Sequence, residues 1–168
     1  MITKEALKDV IASQKEVLDK SEPGTPRERM REIRIEDSFA LVITGVRRCG
    51  KSTFMNQIIR KQKKCYYLNL EDPRLESFDL SDFNKAEVVV KELYGEGGVY
   101  FFDEIQNVDK WEKFVRYLVD KKEMVVITGS NASLLSMELG TRLTGRHLQV
   151  EMFPFSFREF LAMKGSAP

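Results

Sequence analysis

Two spacings of apolar residues divide the chain. Near the start, Ala6, Leu7, Val10, Ile11, Val17 and Leu18 fall at helical intervals among charged residues, which predicts an amphipathic helix over 3–20. The stretch SEPG at 21–24 ends it. Thr25, Pro26 and Glu28 then form a capping-box pattern with proline at the first helical position, predicting a short helix or turn toward Ile33. Beyond that point the pattern changes to short, continuous apolar runs: FALVIT at 39–44, CYYLNL at 65–70, VYFFD at 99–103 and MVVIT at 124–128. Runs of this length, separated by longer periodic segments, read as buried strands of a parallel sheet with helices on both faces. HLQVEM, from His147, alternates more and reads as an edge strand. The division expected is a helical segment over 1–34 packed on a core over 35–168.

The first of these strands runs into GVRRCGKST, residues 45–53, and the helical pattern FMNQIIR follows. Gly45, Gly50, Lys51 and Ser52 satisfy G-x-x-x-x-G-K-[ST], in the strand–loop–helix context that the motif needs. Glycines let successive N–H groups curl inward, and the helix start adds unsatisfied amides and a positive dipole end, so the loop suits a polyphosphate. Lys51 is expected to reach the terminal phosphates, Ser52 to complete the shell of a Mg2+ ion, and Thr53 to add an amide or hydroxyl near the inner phosphate. The intervening Val46, Arg47, Arg48 and Cys49 complete the nucleotide-binding segment. For Arg47 and Arg48 two readings stand: contact with nucleotide or a neighbouring subunit, or solvated charges at a loop tip. Cys49 reads as a small filler.

VYFFD ends in Asp103 and is followed at once by Glu104. An acid at the carboxyl end of a buried strand can hold magnesium opposite Ser52, while the next side chain points elsewhere and can direct or deprotonate a water. MVVIT ends in Thr128 and leads into Gly129, Ser130 and Asn131, where a polar side chain could touch the terminal phosphate or the attacking water. Ser130 is the first choice and Asn131 the second, although Ser130 equally suits a helix N-cap. Arg142 and Arg146, in GTRLTGRH, are candidates for a guanidinium that reaches a phosphate in its own chain or in a neighbour. EDPR at 71–74 reads as a solvated turn. Trp111, Phe114 and Leu118 read as core anchors on one helix face, and the aromatics of FPFSFREF as core or domain interface.

Charge narrows the choice little. Lys and Arg total 27 against 26 Asp and Glu, for a net +1, so no global basic field favours nucleic acid, and a DNA role would need a local patch. Two cysteines without CxxC spacing and one histidine argue against a zinc site or a disulfide framework, and His147 is too isolated for acid–base catalysis. No apolar run approaches the length of a membrane span and the start lacks a signal-peptide pattern, so a soluble, cytoplasmic protein is expected.

Together, ITGVRRCGKST, YFFDEIQNVDKW, VITGSNASLL and LTGRHLQVEMFPFSFREFL resemble the prokaryotic predicted ATPases of the AAA+ superfamily. The resemblance implies a three-layer αβα P-loop NTPase with a five-stranded parallel sheet, in which the sensor strand lies between the P-loop and Walker B strands. It implies Mg2+-dependent ATP hydrolysis by Lys51, Ser52, Asp103, Glu104 and Ser130, with Arg146 as the arginine finger of a homo-oligomer. It also implies a helical lid and a C-terminal domain that would carry the specific partner and lie beyond Pro168. A nucleotide-dependent switch acting on DNA or protein with little turnover is the alternative reading.

Overall fold

A computed structural model describes residues 2–129 and 143–165. Five strands, β1 (Ala40–Gly45), β2 (Cys65–Asn69), β3 (Val99–Asp103), β4 (Val125–Thr128) and β5 (His147–Met152), form one parallel sheet in the order β2-β3-β4-β1-β5. The helices are α1 (Lys4–Lys20), α2 (Lys51–Ile59), α3 (Asp82–Tyr94), α4 (Trp111–Asp120) and α5 (Phe157–Met163). The fold is the expected α/β arrangement, with β4 between β1 and β3.

Successive strand residues face opposite sides of the sheet, and here both sides are dry. Leu41, Ile43, Val99, Phe101 and Val126 pack with Phe54, Met55 and Ile58 of α2. Val42, Tyr100, Phe102, Val125 and Ile127 pack with buried residues of α1, α3 and α4. This two-sided burial is why the strands are continuous apolar runs. Trp111, Phe114 and Leu118 join the second layer as anchors of α4.

α1 starts at Thr3, whose hydroxyl accepts the Ala6 N–H at 3.2 Å. Its buried face is Leu7, Val10, Ile11 and Gln14. Gln14 is not apolar because it covers the open edge of β2: its amide donates to Asn69 O at 3.0 Å and accepts from Asn69 N at 2.8 Å. Ala6 and Val17, counted in the apolar stripe from spacing, instead face solvent. A second correction concerns Thr25. The expected short helical turn forms, as a 3-10 turn over Glu28–Glu32, but it begins after Arg27 with no side-chain cap, two residues past Thr25, whose carbonyl accepts the Gln57 amide at 2.8 Å. The capping box appears at Ser156 and Glu159, opening α5.

No helix among the described residues is long and apolar enough to cross a membrane.

Candidate functional site: a phosphate loop facing an acidic pair

β1 delivers Gly45 beside Met152 of β5. Gly45 has φ +148°, and a Cβ there would lie 2.3 Å from the Met152 carbonyl oxygen, so only glycine lets the loop leave between the two strands. The loop closes at Gly50, in a left-handed conformation with φ +93°, and α2 starts immediately without a side-chain cap. The first backbone bond of this turn runs from Phe54 N to Gly50 O at 2.9 Å. The preceding amides of Lys51, Ser52 and Thr53 are therefore the unsatisfied donors of a helix start, where the dipole favours an anion.

Lys51 is buried yet points into this loop. Its Nζ donates to the carbonyls of Gly45 at 3.3 Å and Val46 at 3.2 Å, and lies 3.9 Å from Glu104 Oε1. A buried ammonium needs such partners, and a phosphate arriving in the loop would offer stronger ones.

Opposite the loop, β3 ends at Asp103, only 2% exposed. Burial pushes its carboxyl above the ordinary range, against hydrogen bonds from Thr128 and Ser52 that favour the carboxylate, while the charge of Glu104 pushes it up further. Tyr67 of β2 donates to Asp103 Oδ2 at 3.3 Å, and burial beside that carboxylate raises the phenol far above its usual range. Glu104 leaves the strand in the left-handed region, with φ 53° and ψ 50°, a conformation costing a non-glycine residue about 1–2 kcal/mol. That turn separates the two acids: Asp103 stays against Ser52 and Glu104 swings toward Lys51. Thr128, at the tip of β4, donates to Asp103 and accepts the Glu104 N–H at 2.9 Å. Gln106 Nε2 donates to Glu104 Oε2 at 2.6 Å.

Magnesium takes oxygen ligands and is often held by one or two carboxylates together with substrate phosphates. Ser52 and Asp103, whose side chains interact across the site, are a donor set of that kind. Among the described residues no three or more His, Cys, Asp or Glu side chains gather into an all-protein cage.

Two cavities flank Thr53. One, of about 480 Å3, is bounded by α1, Ser52, Tyr67 and Asn69. The other, of about 230 Å3, is bounded by Thr25, Arg27, Gly50, Pro154 and Phe155. Gly24 crosses between them, its position for a Cβ only 2.8 Å from the Thr53 methyl group.

The structure thus brings Gly45, Gly50, Lys51, Ser52, Asp103 and Glu104 together. Arg47 is exposed, 3.7 Å from Glu71, and Arg48 lines the smaller cavity. Cys49 is buried under the loop, and Val46 is exposed. In EDPR, Asp72 binds Gln14 and caps a 3-10 turn. Arg146 is not at the site of its own chain. It precedes β5, whose His147 pairs with Ala40, five residues before Gly45; at 3.3 Å per residue His147 lies roughly 17 Å from the loop. Arg146, one residue earlier still, is roughly 20 Å from the loop and binds Asp120 at 2.5 Å. Ser130, Asn131 and Arg142 lie outside the described residues. Of the two readings given to the aromatics of FPFSFREF, core or domain interface, the structure does not bear out the core: Phe153, Phe155, Phe157 and Phe160 are 52%, 40%, 77% and 43% exposed, and α5 buries only Glu159. Tyr67 and Gln106 are not singled out by the sequence reading, and Thr128 enters it only as the end of MVVIT; the hydroxyl residues in these two apolar runs, CYYLNL and MVVIT, are the signal for Tyr67 and Thr128.

A parallel sheet with a glycine-rich loop after β1 and an acidic pair at the end of β3, across an intervening strand, defines a P-loop nucleotide-binding domain. The chain belongs to the AAA domain family, whose model matches residues 37–161. It is 44% identical over 135 residues to the uncharacterized protein MJ1544 of Methanocaldococcus jannaschii, covering 79% of this chain and 30% of that protein. An uncharacterized protein of Haemophilus influenzae is 40% identical over 139 residues, covering 77% of this chain and 34% of its own length. The chain therefore spans about a third of these curated relatives. Among solved structures, the Aeropyrum pernix ORC1 protein, determined in complex with DNA, shares the fold with a TM-score of 0.52 at 16% identity, over 96% of this chain and 48% of that one.

Proposed function

We propose that the chain is the core of a magnesium-dependent ATPase. The convergence of Lys51, Ser52, Asp103 and Glu104 at one end of the sheet carries the reading. The Gly50 to Thr53 amides and the Lys51 ammonium hold the phosphates, with Lys51 exchanging two carbonyls for phosphate oxygens. Ser52 and Asp103 would hold a Mg2+ ion, which would supply charge neutralisation for the bound phosphates. Glu104 orients a water toward the terminal phosphorus and takes up its proton. The nucleoside occupies the smaller cavity beside Gly50 and Thr53. Arg146 reaches a phosphate only in a neighbouring copy of the chain, which makes the active form an oligomer, and Ser130 remains a proposed phosphate contact. The specific partner is read by the part of the longer relatives that this chain does not span.

A second reading, a switch that binds ATP and turns over little, is favoured by one contact. Glu104 is engaged by Gln106 at 2.6 Å and lies 3.9 Å from Lys51, so it must be released before it can act on water.

The test is phosphate release by the parent and Lys51→Ala, with and without Mg2+, beside calorimetric ATP binding. Mg2+-dependent release that disappears in the variant supports the ATPase. Tight binding without release selects the switch, and absence of binding by the parent refutes both.

A further inference from the structure

Arg27 belongs to none of the motifs discussed above, yet it is the most fully engaged cation near the loop. It lies 8% exposed and is fixed by all three kinds of guanidinium nitrogen. Nε donates to Glu159 Oε1 at 2.9 Å, Nη1 to the Cys49 carbonyl at 3.0 Å and Nη2 to the Phe153 carbonyl at 2.6 Å. The Phe155 ring lies 4.8 Å from its centre. Glu159 is held in turn: Oε1 also accepts the Glu28 N–H at 3.0 Å, and Oε2 accepts the Ser156 N–H at 2.9 Å. The pair joins the segment before β1, the phosphate loop, the end of β5 and α5.

The grip on Cys49 sets the loop. A trans peptide is planar, so its C=O and the next N–H point in opposite directions, and the chain has no cis peptide among the described residues. Holding the Cys49 carbonyl outward on Arg27 therefore turns the Gly50 N–H inward, toward the space in front of α2. We propose that Arg27 is a positioning residue for the phosphate loop: anchored by Glu159, it aims the Gly50 amide at the polyphosphate. Arg27 itself touches no phosphate. The inference rests on reading that loop as a polyphosphate cradle.

The test measures Mg2+-loaded tripolyphosphate and ATP binding to the parent, Arg27→Lys and Glu159→Gln, with steady-state kinetics and the Gly50 amide resonance of the nucleotide-free proteins. Lysine keeps the charge opposite Glu159 but cannot reach three acceptors. Both variants are expected to lose about tenfold in affinity, the scale of one charge-assisted hydrogen bond. Tripolyphosphate, which has no nucleoside to enter the cavity beside Arg27, should show this loss in full and ATP at least as large a one, with KM raised, kcat within about twofold and a displaced Gly50 resonance. The double variant Arg27→Met/Glu159→Met removes both buried charges, and is measured in the same way should a single variant fail to fold. Unchanged tripolyphosphate affinity in the folded variants overturns the inference, as does a loss confined to ATP, which would make Arg27 a nucleoside contact. A parent that binds neither ligand overturns the proposed function before any variant is made, and this inference with it.

Discussion

The backbone N–H of Glu104 donates to the side-chain oxygen of Thr128 at 2.9 Å, and the same hydroxyl gives its proton to Asp103. One β4 side chain thus fixes both acids at the end of β3, orienting the first carboxyl and holding the second at its left-handed turn. Thr128→Val keeps the shape and removes both bonds. It should cost about 1–3 kcal/mol of stability, since a buried amide loses its acceptor, and lower kcat on the order of tenfold, whereas Thr128→Ser should retain most activity. Denaturant unfolding and phosphate release on the same samples check this.

Glu104→Gln keeps the side-chain volume and the Gln106 neighbour but loses the base. ATP binding should stay within about threefold, while turnover falls by at least about a hundredfold, the usual scale for a general base. Calorimetry beside single-turnover assays measures the two separately; equal phosphate release by variant and parent would end the assignment of Glu104 as the base.

Asp103 is raised mainly by burial, so the native state binds its proton more tightly than the unfolded chain does. Its contribution to stability is complete below the ordinary aspartate range and is lost as pH rises through the raised folded value. Asp103→Asn stays neutral throughout. The nucleotide-free variant should therefore gain stability relative to the parent as pH climbs above the ordinary aspartate range, while losing Mg2+-dependent turnover. Melting curves from pH 4 to 8 test the sign.

Glu159 behaves oppositely. Burial alone would raise its carboxyl, but the Ser156 and Glu28 amides and Arg27 outweigh that and hold it below the usual glutamate range. Its stabilisation is present above the ordinary value and lost as pH falls through the lowered one. Glu159→Gln should be less stable at pH 7 by about 2 kcal/mol and should lose less than the parent between pH 5 and 3. Parallel acid titrations followed by circular dichroism would expose a wrong sign.

Gly45→Ala introduces a Cβ 2.3 Å from the Met152 carbonyl at a φ of +148°. Because the obstacle is backbone of a paired strand, β1 and β5 must separate locally. We expect a loss of about 2 kcal/mol or more, the scale of strain at a special backbone position, together with weakened ATP binding. A thermal melt within a degree of the parent would contradict this.

VYFFD was placed to the residue, and the phosphate loop and the order of motifs were readable, because they rest on short-range rules: apolar runs for buried strands, glycine for left-handed turns, a helix start for an anion. The same rules misread Thr25, whose capping pattern lies two residues before the turn it was expected to open, and Val17, whose helical spacing placed it on a stripe that α1 does not bury. Arg146 was legible as a guanidinium between two elements, but a linear motif does not tell which end of a strand it occupies. The register of β5 on β1 does, and puts it at the far end.

By itself the sequence determined that the chain is a P-loop α/β domain and which loop and acids the fold brings to one end of the sheet, since those features are local and tied to glycine, lysine and carboxylate chemistry. Only the tertiary structure decided that Thr128 joins the two acids, that Gln14 covers the sheet edge, and that Arg27 and Glu159, 132 residues apart, close on the phosphate loop. A buried charge finds its partner wherever the packed chain brings one, and no spacing along the sequence encodes that meeting.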